Sequence, residues 1–196
     1  MKELIDRIKD ISKTSKYVTL FQEFDKKIIF KGIGKIPGDF DKEYLEFLQY
    51  TNGASILDYC FLGIKNNKLG VNLYGNITDL WVDDCMLSSA FWGIVSNSSG
   101  ENFGYINLLN KKGSHYIGYY STNNPEHVNL VASSFKIFLN KLLTQVELAI
   151  KNDCEAINID NNFFLNFDLL VQDDDELLDY IKGVNNNSCE YNLFIS

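Results

Sequence analysis

The chain has 196 residues, of which 45% are hydrophobic and 14% aromatic, so it can form a folded core and is too apolar for a disordered protein. Its formal net charge is −8, which disfavours binding to nucleic acid and to anionic membranes. The sequence contains no apolar run long enough for a transmembrane helix, and its charged N-terminus does not resemble a signal peptide, so we expect a cytoplasmic protein.

The first 53 residues predict two helices. The first lies at the N-terminus and ends near Lys13. Its apolar residues have helical spacing and are Leu4, Ile5, Ile8 and Ile11. Residues 17–24 fit either a strand or a helix, and residues 27–31 contain a short apolar run. Residues 40–50 predict the second helix, whose apolar face contains Phe40, Tyr44, Phe47 and Leu48. Thr51-Asn52-Gly53 is a typical helix end.

From residue 54 to residue 131, short apolar runs alternate with Gly, Asn and Ser, a pattern typical of antiparallel strands. The candidate strands are residues 55–58, 61–65, 91–96, 104–108 and 115–120. Residues 97–102 predict a hairpin turn. Residues 76–87 predict a helical turn or a loop that covers the sheet.

The last part of the sequence predicts a long helix followed by an acidic extension. Ser133 or Ser134 suits the N-cap of that helix, whose apolar stripe is Phe135, Phe138, Leu139, Leu142, Leu143, Val146 and Ile150. Further on, Leu177, Leu178 and Ile181 predict a short helix, and the alternation of Tyr191, Leu193 and Ile195 predicts a terminal strand. We therefore expect one domain over residues 1–196, with the acidic extension 153–196 packed on it.

The negative charge lies in the C-terminal part of the chain. Residues 1–150 contain 16 basic and 16 acidic residues, whereas residues 151–196 contain 2 and 10. The electric field of this negative charge attracts a basic partner. The same distribution of charge equally fits an acidic surface that only keeps the protein in solution.

Two groups of residues are candidates for contact with a protein partner. The first is the acidic run Asp173, Asp174, Asp175 and Glu176, with Asp179 on the same predicted helix. These carboxylates suit the first turn of a helix, and they also suit contact with a basic protein. The second is Trp81 with Asp83 and Asp84, together with Trp92, because aromatics beside carboxylates suit binding hot spots. For Trp92, which lies in a strand pattern, core packing is the alternative; Trp81 and the two aspartates are expected in a loop or short helix.

The residues predict no catalytic, metal or cofactor site. Four cysteines and two histidines have no zinc-ligand spacing, and we expect reduced, buried thiols. His115, within a strand pattern, fits a structural role, and no nucleophile motif accompanies any cysteine. Gly32-Ile33-Gly34-Lys35 lacks the spacing and the hydroxyl of a phosphate-binding loop. We therefore expect a non-enzymatic protein.

Three segments in this order resemble the SUKH superfamily. They are Ile36-Pro37 through Leu48 to Asn52-Gly53, the strand pair of residues 91–108 with Gly100 and Gly104, and Ser133-Ser134-Phe135 with Phe138-Leu139. The resemblance covers about residues 36–143 and implies an α+β fold with a mainly antiparallel sheet flanked by helices. It also implies a binding function.

Many bacterial members of that superfamily are immunity proteins, which neutralise a cognate toxin, often a nuclease, by direct binding. Eukaryotic members are regulatory scaffolds linked to cell-wall synthesis and signalling. The resemblance therefore implies a protein partner, either a toxin domain or an endogenous protein. The negative charge favours a basic toxin domain and disfavours nucleic acid and membranes. An enzyme whose active-site residues have no recognisable motif remains the third alternative.

Overall fold

The computed structural model describes residues 1–21, 25–65, 72–83, 87–88, 90–97, 99–121, 123–151, 167–184 and 189–194. The helices in these ranges are α1 Lys2–Thr14, α2 Lys26–Ile33, α3 Lys42–Leu48, α4 Leu73–Asp83, α5 Phe135–Lys151, α6 Phe167–Val171 and α7 Asp175–Gly183. The strands are β1 Val18–Leu20, β2 Ala54–Ile56, β3 Tyr59–Phe61, β4 Phe91–Ser96, β5 Asn102–Leu109, β6 His115–Tyr120, β7 His127–Ala132 and β8 Glu190–Asn192.

The eight strands form one antiparallel sheet in which spatial order follows chain order from β1 to β8. Helices flank this sheet, and the predicted α+β class is therefore confirmed. Gly93 on β4 pairs with Gly104 on β5, and the register shifts between Gly93 and Val95. None of the described helices is long and apolar enough to span a membrane.

An aromatic cluster joins α3 and α5 to one face of the sheet. The ring centroids of Phe135 on α5 and Tyr44 on α3 are 5.0 Å apart, and Phe138 lies 5.2 Å from Phe103 on β5. The Tyr44 hydroxyl donates to the carbonyl of Leu62. Because side chains alternate along β5, Gly104 points away from Phe103, and its partner Gly93 faces Leu80 on α4. The helix α4 therefore covers the opposite face.

The Thr51-Asn52-Gly53 sequence after α3 has two structural roles. The Oδ1 of Asn52 accepts from Ile64 N at 2.8 Å, and its Nδ2 donates to Lys65 O at 3.0 Å, so the side chain ties the helix end to the segment after β3. Gly53 has a φ of 99°, and a Cβ there would lie 2.2 Å from the carbonyl oxygen of Phe61.

The described parts of the C-terminal extension contact the rest of the chain. The strand β8 pairs with β7, with Val128 opposite Tyr191. Tyr116 on β6 packs against Tyr180 on α7, with ring centroids 5.3 Å apart. Residues 153–166 of the extension lie outside the described residues. Organisation as a single domain stays a prediction.

Several element boundaries differ from those expected. The hairpin β2–β3 turns at Leu57–Asp58, where Leu57 has a φ of 60°, so the second strand ends at Phe61 instead of beginning there. The apolar run after Lys27 lies in the helix α2, and residues 73–83 form a regular helix. The predicted long helix begins at Phe135, where Ser134 Oγ accepts from Ile137 N at 3.4 Å. Ile195, expected in the terminal strand, lies outside the described residues.

Candidate interaction surface

The acidic run at the start of α7 contains one interior residue and several exposed ones. Asp174 is the N-cap of the helix, and its Oδ1 accepts from Leu177 N at 3.2 Å. Asp173, with a φ of 58°, precedes it and is exposed, as are Asp175 and Asp179. Glu176 is partly buried. We refer to Asp173, Asp175, Glu176 and Asp179 as the acidic surface.

Asp174 does not belong to this surface, which corrects the expectation from the sequence. The residue is 1% exposed, and its Oδ2 accepts from Ser133 N at 2.9 Å and lies 3.1 Å from the ammonium of Lys141. Capping turns the carboxylate back toward its own helix, and the buried ammonium of Lys141 requires a counterion at that position. Asp174 therefore stabilises the fold and is not accessible to a partner.

Two lysines of the β5–β6 turn face the acidic surface. Lys111 Nζ lies 2.8 Å from Asp179 Oδ2, and Lys112 Nζ lies 2.6 Å from Glu176 Oε1. The hydrogen bond between the first pair raises the pKa of Lys111 and lowers the pKa of Asp179. Sequence reasoning missed these lysines because a turn sequence does not indicate which helix it faces. They offset two of the four carboxylates and leave Asp173 and Asp175 as the exposed charges without a described ion pair.

The second candidate group lies on a different element. Trp81 is partly buried on α4, and its Nε1 donates to Phe91 O on β4 at 3.0 Å. This hydrogen bond fixes the indole against the sheet, and the residue stays partly exposed. Asp83 ends α4, and Asp84 lies outside the described residues. The acidic surface instead packs beside β6, where the Tyr116 hydroxyl donates to the carbonyl of Glu176 at 3.2 Å.

His115 and Cys189 are both buried, in surroundings that indicate structural roles. The ring of His115 is buried between Trp92 and Tyr105, and its Nδ1 lies 2.9 Å from the carbonyl oxygen of Ile106, which requires a proton on that nitrogen. Burial raises the pKa of Cys189 to about 11, so this thiol is protonated near neutral pH. Among the described residues no group of three or more His, Cys, Asp or Glu side chains is placed to hold a metal ion. Cys85 and Cys154 lie outside the described residues.

Comparison with known proteins gives a family match. The model of the SMI1 / KNR4 family (SUKH-1) matches residues 33–141. This range runs from the end of α2 to Lys141 in α5 and therefore includes the strands β2 to β7 and the aromatic cluster. The acidic surface lies outside it. A search of curated proteins gave no match.

Proposed function

Since this chain belongs to the SMI1 / KNR4 family (SUKH-1), we propose that it is a non-enzymatic protein that binds and neutralises a cognate bacterial toxin. At the level of the family, the membership supports either an immunity role or a role linked to the cell wall, both of which act through protein partners. The toxin is a basic protein, such as a nuclease, and the complex forms in the cytoplasm.

The acidic surface is the observation that favours a basic partner. Asp173 and Asp175 are exposed at the start of α7, and the C-terminal residues 151–196 contain the whole negative excess of the chain. A nuclease domain binds phosphates through Lys and Arg, and the same side chains pair with carboxylates. Binding here blocks access of the nucleic acid by steric exclusion and by charge, with no chemical step.

Charge complementarity of this kind acts mainly on the association rate. Opposite fields increase the frequency of productive encounters, and salt screens the effect. Packed side chains at the centre of an interface determine the dissociation rate. Trp81, which is partly exposed, is the candidate for such a contact, and Asp83 and Asp84 belong to the same proposed group.

Co-expression tests the proposal directly. Candidate toxin domains, such as any that are encoded beside this gene, are expressed in bacteria with and without the protein, and growth is measured. We expect the protein to restore growth and to form a stable complex with the toxin. Growth that stays arrested, together with stable binding of a host protein, would instead support the alternative of a regulatory scaffold with an endogenous partner.

The acidic surface is tested by association kinetics with the purified toxin at two salt concentrations. The variant is Asp173→Asn, Asp175→Asn and Asp179→Asn; Asp174 is retained because the fold depends on it. We expect association about tenfold slower at low salt, a weaker salt dependence and little change in dissociation. The matched control removes three exposed carboxylates elsewhere, Asp6→Asn, Asp10→Asn and Asp58→Asn. Equal association rates for the two variants would exclude the acidic surface as the site that attracts the toxin.

Activity assays test the non-enzymatic proposal. The purified protein is expected to show no hydrolase, transferase or nuclease turnover. Turnover that disappears on substitution of His115, His127 or a cysteine would instead support the enzyme alternative.

A further inference from the structure

The helix α2 exposes two large apolar side chains. Ile28 is 44% exposed and Phe30 is 53% exposed, whereas Ile29 between them is 1% exposed and lies in the core. A single exposed apolar side chain is ordinary, whereas this eight-residue helix exposes two large ones.

Basic residues surround these side chains. Lys26, Lys27, Lys31 and Lys35 are all exposed, and none of the four has an ion-pair partner within the part of the chain that the structure describes. The nearby Asp25 is the N-cap of α2, and its Oδ1 accepts from Lys27 N at 2.7 Å, so its carboxylate is held against the backbone. We refer to these four lysines with Ile28 and Phe30 as the α2 surface.

The packing of α2 fixes which side faces solvent. A Cβ at Gly32 would lie 2.2 Å from Cγ2 of Ile64, so the helix backbone touches that side chain directly. Ile29 is on the same side, in the core. A helix advances about 100° per residue, which places Lys27 and Lys31 outward, between Phe30 on one flank and Ile28 on the other.

We propose that the α2 surface binds an acidic segment of a protein partner, one whose carboxylates are interspersed with apolar side chains. The lysines match the carboxylates, and Ile28 and Phe30 match the apolar side chains of the segment. The net charge of −8 opposes every acidic ligand, and the repulsion grows with the charge of the ligand, so a short acidic segment is favoured over extended polyanions such as nucleic acid and anionic membranes. The α2 surface is separate from the acidic surface and opposite in charge, so this inference does not depend on the toxin proposal.

The experiment uses the full chain and a defined probe. The probe is a fluorescent peptide in which Glu and Asp alternate with Leu and Phe, and binding is followed by anisotropy at low and moderate salt. Two control peptides separate the contribution of charge from that of apolar contact. One has Gln and Asn at the acidic positions, and the other has Ser at the apolar positions. We expect both peptides to bind more weakly than the probe.

Two variants assign the binding to the α2 surface. Lys27→Glu with Lys31→Glu is expected to weaken binding of the probe about tenfold, and Ile28→Ser with Phe30→Ser is expected to weaken it similarly. The matched control, Lys2→Glu with Lys136→Glu, makes the same charge change at exposed lysines on α1 and α5 and should bind like the wild type. Circular dichroism and melting confirm that each variant is folded.

Four outcomes would overturn the proposal. Equal affinity of the α2 variants and the control would show non-specific attraction. Tighter binding to phosphatidylglycerol vesicles, or to a single-stranded oligonucleotide, would indicate a different class of partner. Self-association in sedimentation velocity that disappears in Lys27→Glu with Lys31→Glu would identify the occupant as the acidic C-terminal part of a second copy.

Discussion

The ammonium of Lys141 on α5 and the carboxylate of Asp174 before α7 form an ion pair of 3.1 Å in which both side chains are buried. The ammonium also donates to the carbonyls of Val131 and Leu170. Burial lowers the pKa of Lys141, and the charge of Asp174 acts in the opposite direction. Lys141 is the last residue matched by the family model, so the pair links the family region to the C-terminal extension.

Removing one member of this ion pair is expected to destabilise the folded protein strongly. Asp174→Ala leaves a buried ammonium without a counterion and should lower the free energy of unfolding by about 3–5 kcal/mol, measured by urea denaturation. The neighbouring Asp175→Ala, at an exposed position, should change it by no more than about 0.5 kcal/mol. The double variant Lys141→Met with Asp174→Leu should recover part of the loss. If Asp174→Ala were as mild as Asp175→Ala, the extension would not be held by this pair.

A second prediction concerns Gly38, which has a φ of 119° and lies against Trp92. A Cβ at Gly38 would be 2.2 Å from Cδ1 of that indole. Gly38→Ala therefore combines backbone strain with a steric clash and should lower the free energy of unfolding by about 3 kcal/mol or more. Gly113 is the matched control, because its φ is 80° and no atom lies within 4 Å of its Cβ position. Gly113→Ala should cost about 1–2 kcal/mol from strain alone.

Fluorescence separates the two glycine variants. Gly38→Ala should shift the tryptophan emission, since Trp92 must move, whereas Gly113→Ala should leave it unchanged. Equal destabilisation of the two variants, with unchanged emission in both, would show that the contact between Gly38 and Trp92 has no energetic role.

The sequence was most informative where one local pattern determines one element. The helical spacing of Phe135, Phe138 and Leu142 predicted α5, and the family resemblance predicted the antiparallel sheet; both are confirmed. The hairpin at Leu57 was misplaced, because a leucine with positive φ is not a turn signal. The helix α2 was missed, since its inner face contains one buried isoleucine and a glycine that packs on Ile64.

The candidate site was less predictable from the sequence, for a physical reason. Whether Asp174 faces a partner or the interior depends on Lys141, which is 33 residues away in the chain. The charge available at Asp179 depends likewise on Lys111 in a distant turn. Such long-range pairs leave no signal in local composition, so a run of four acidic residues looked uniform although its members have different roles.

A third prediction concerns the amide of Asn52, which is buried after α3. Asn52→Ala leaves the amides of Ile64 and Lys65 without their Oδ1 acceptor and the carbonyl of Lys65 without its donor. We expect a loss of about 2–4 kcal/mol in the free energy of unfolding. The exposed amide Asn124 is the control, and Asn124→Ala should change stability by no more than about 0.5 kcal/mol. A similar effect of the two substitutions would contradict the role assigned to Asn52.

The last prediction concerns stability at alkaline pH. Burial raises the pKa of Tyr44 and of Tyr105 well above the ordinary value and raises the pKa of Tyr116 to about 12. In the unfolded chain tyrosine ionises near pH 10, so between that value and the folded-state pKa the unfolded chain has lost more protons. The stabilisation is therefore complete below about pH 10 and is lost progressively as the pH rises further.

The lowered pKa of Lys141 has the opposite effect, because it makes the folded state more stable as the pH rises over part of the alkaline range. This is the effect of one group, whereas several tyrosines act in the other direction. Urea unfolding between about pH 9 and about pH 11, with phenolate absorbance recorded in parallel, measures the net effect. The free energy of unfolding should fall across this range, and it should fall less steeply in Tyr105→Phe, which removes one buried ionisable group. A flat profile for the wild type, or an unchanged slope in the variant, would contradict the assignment of alkaline sensitivity to the buried tyrosines.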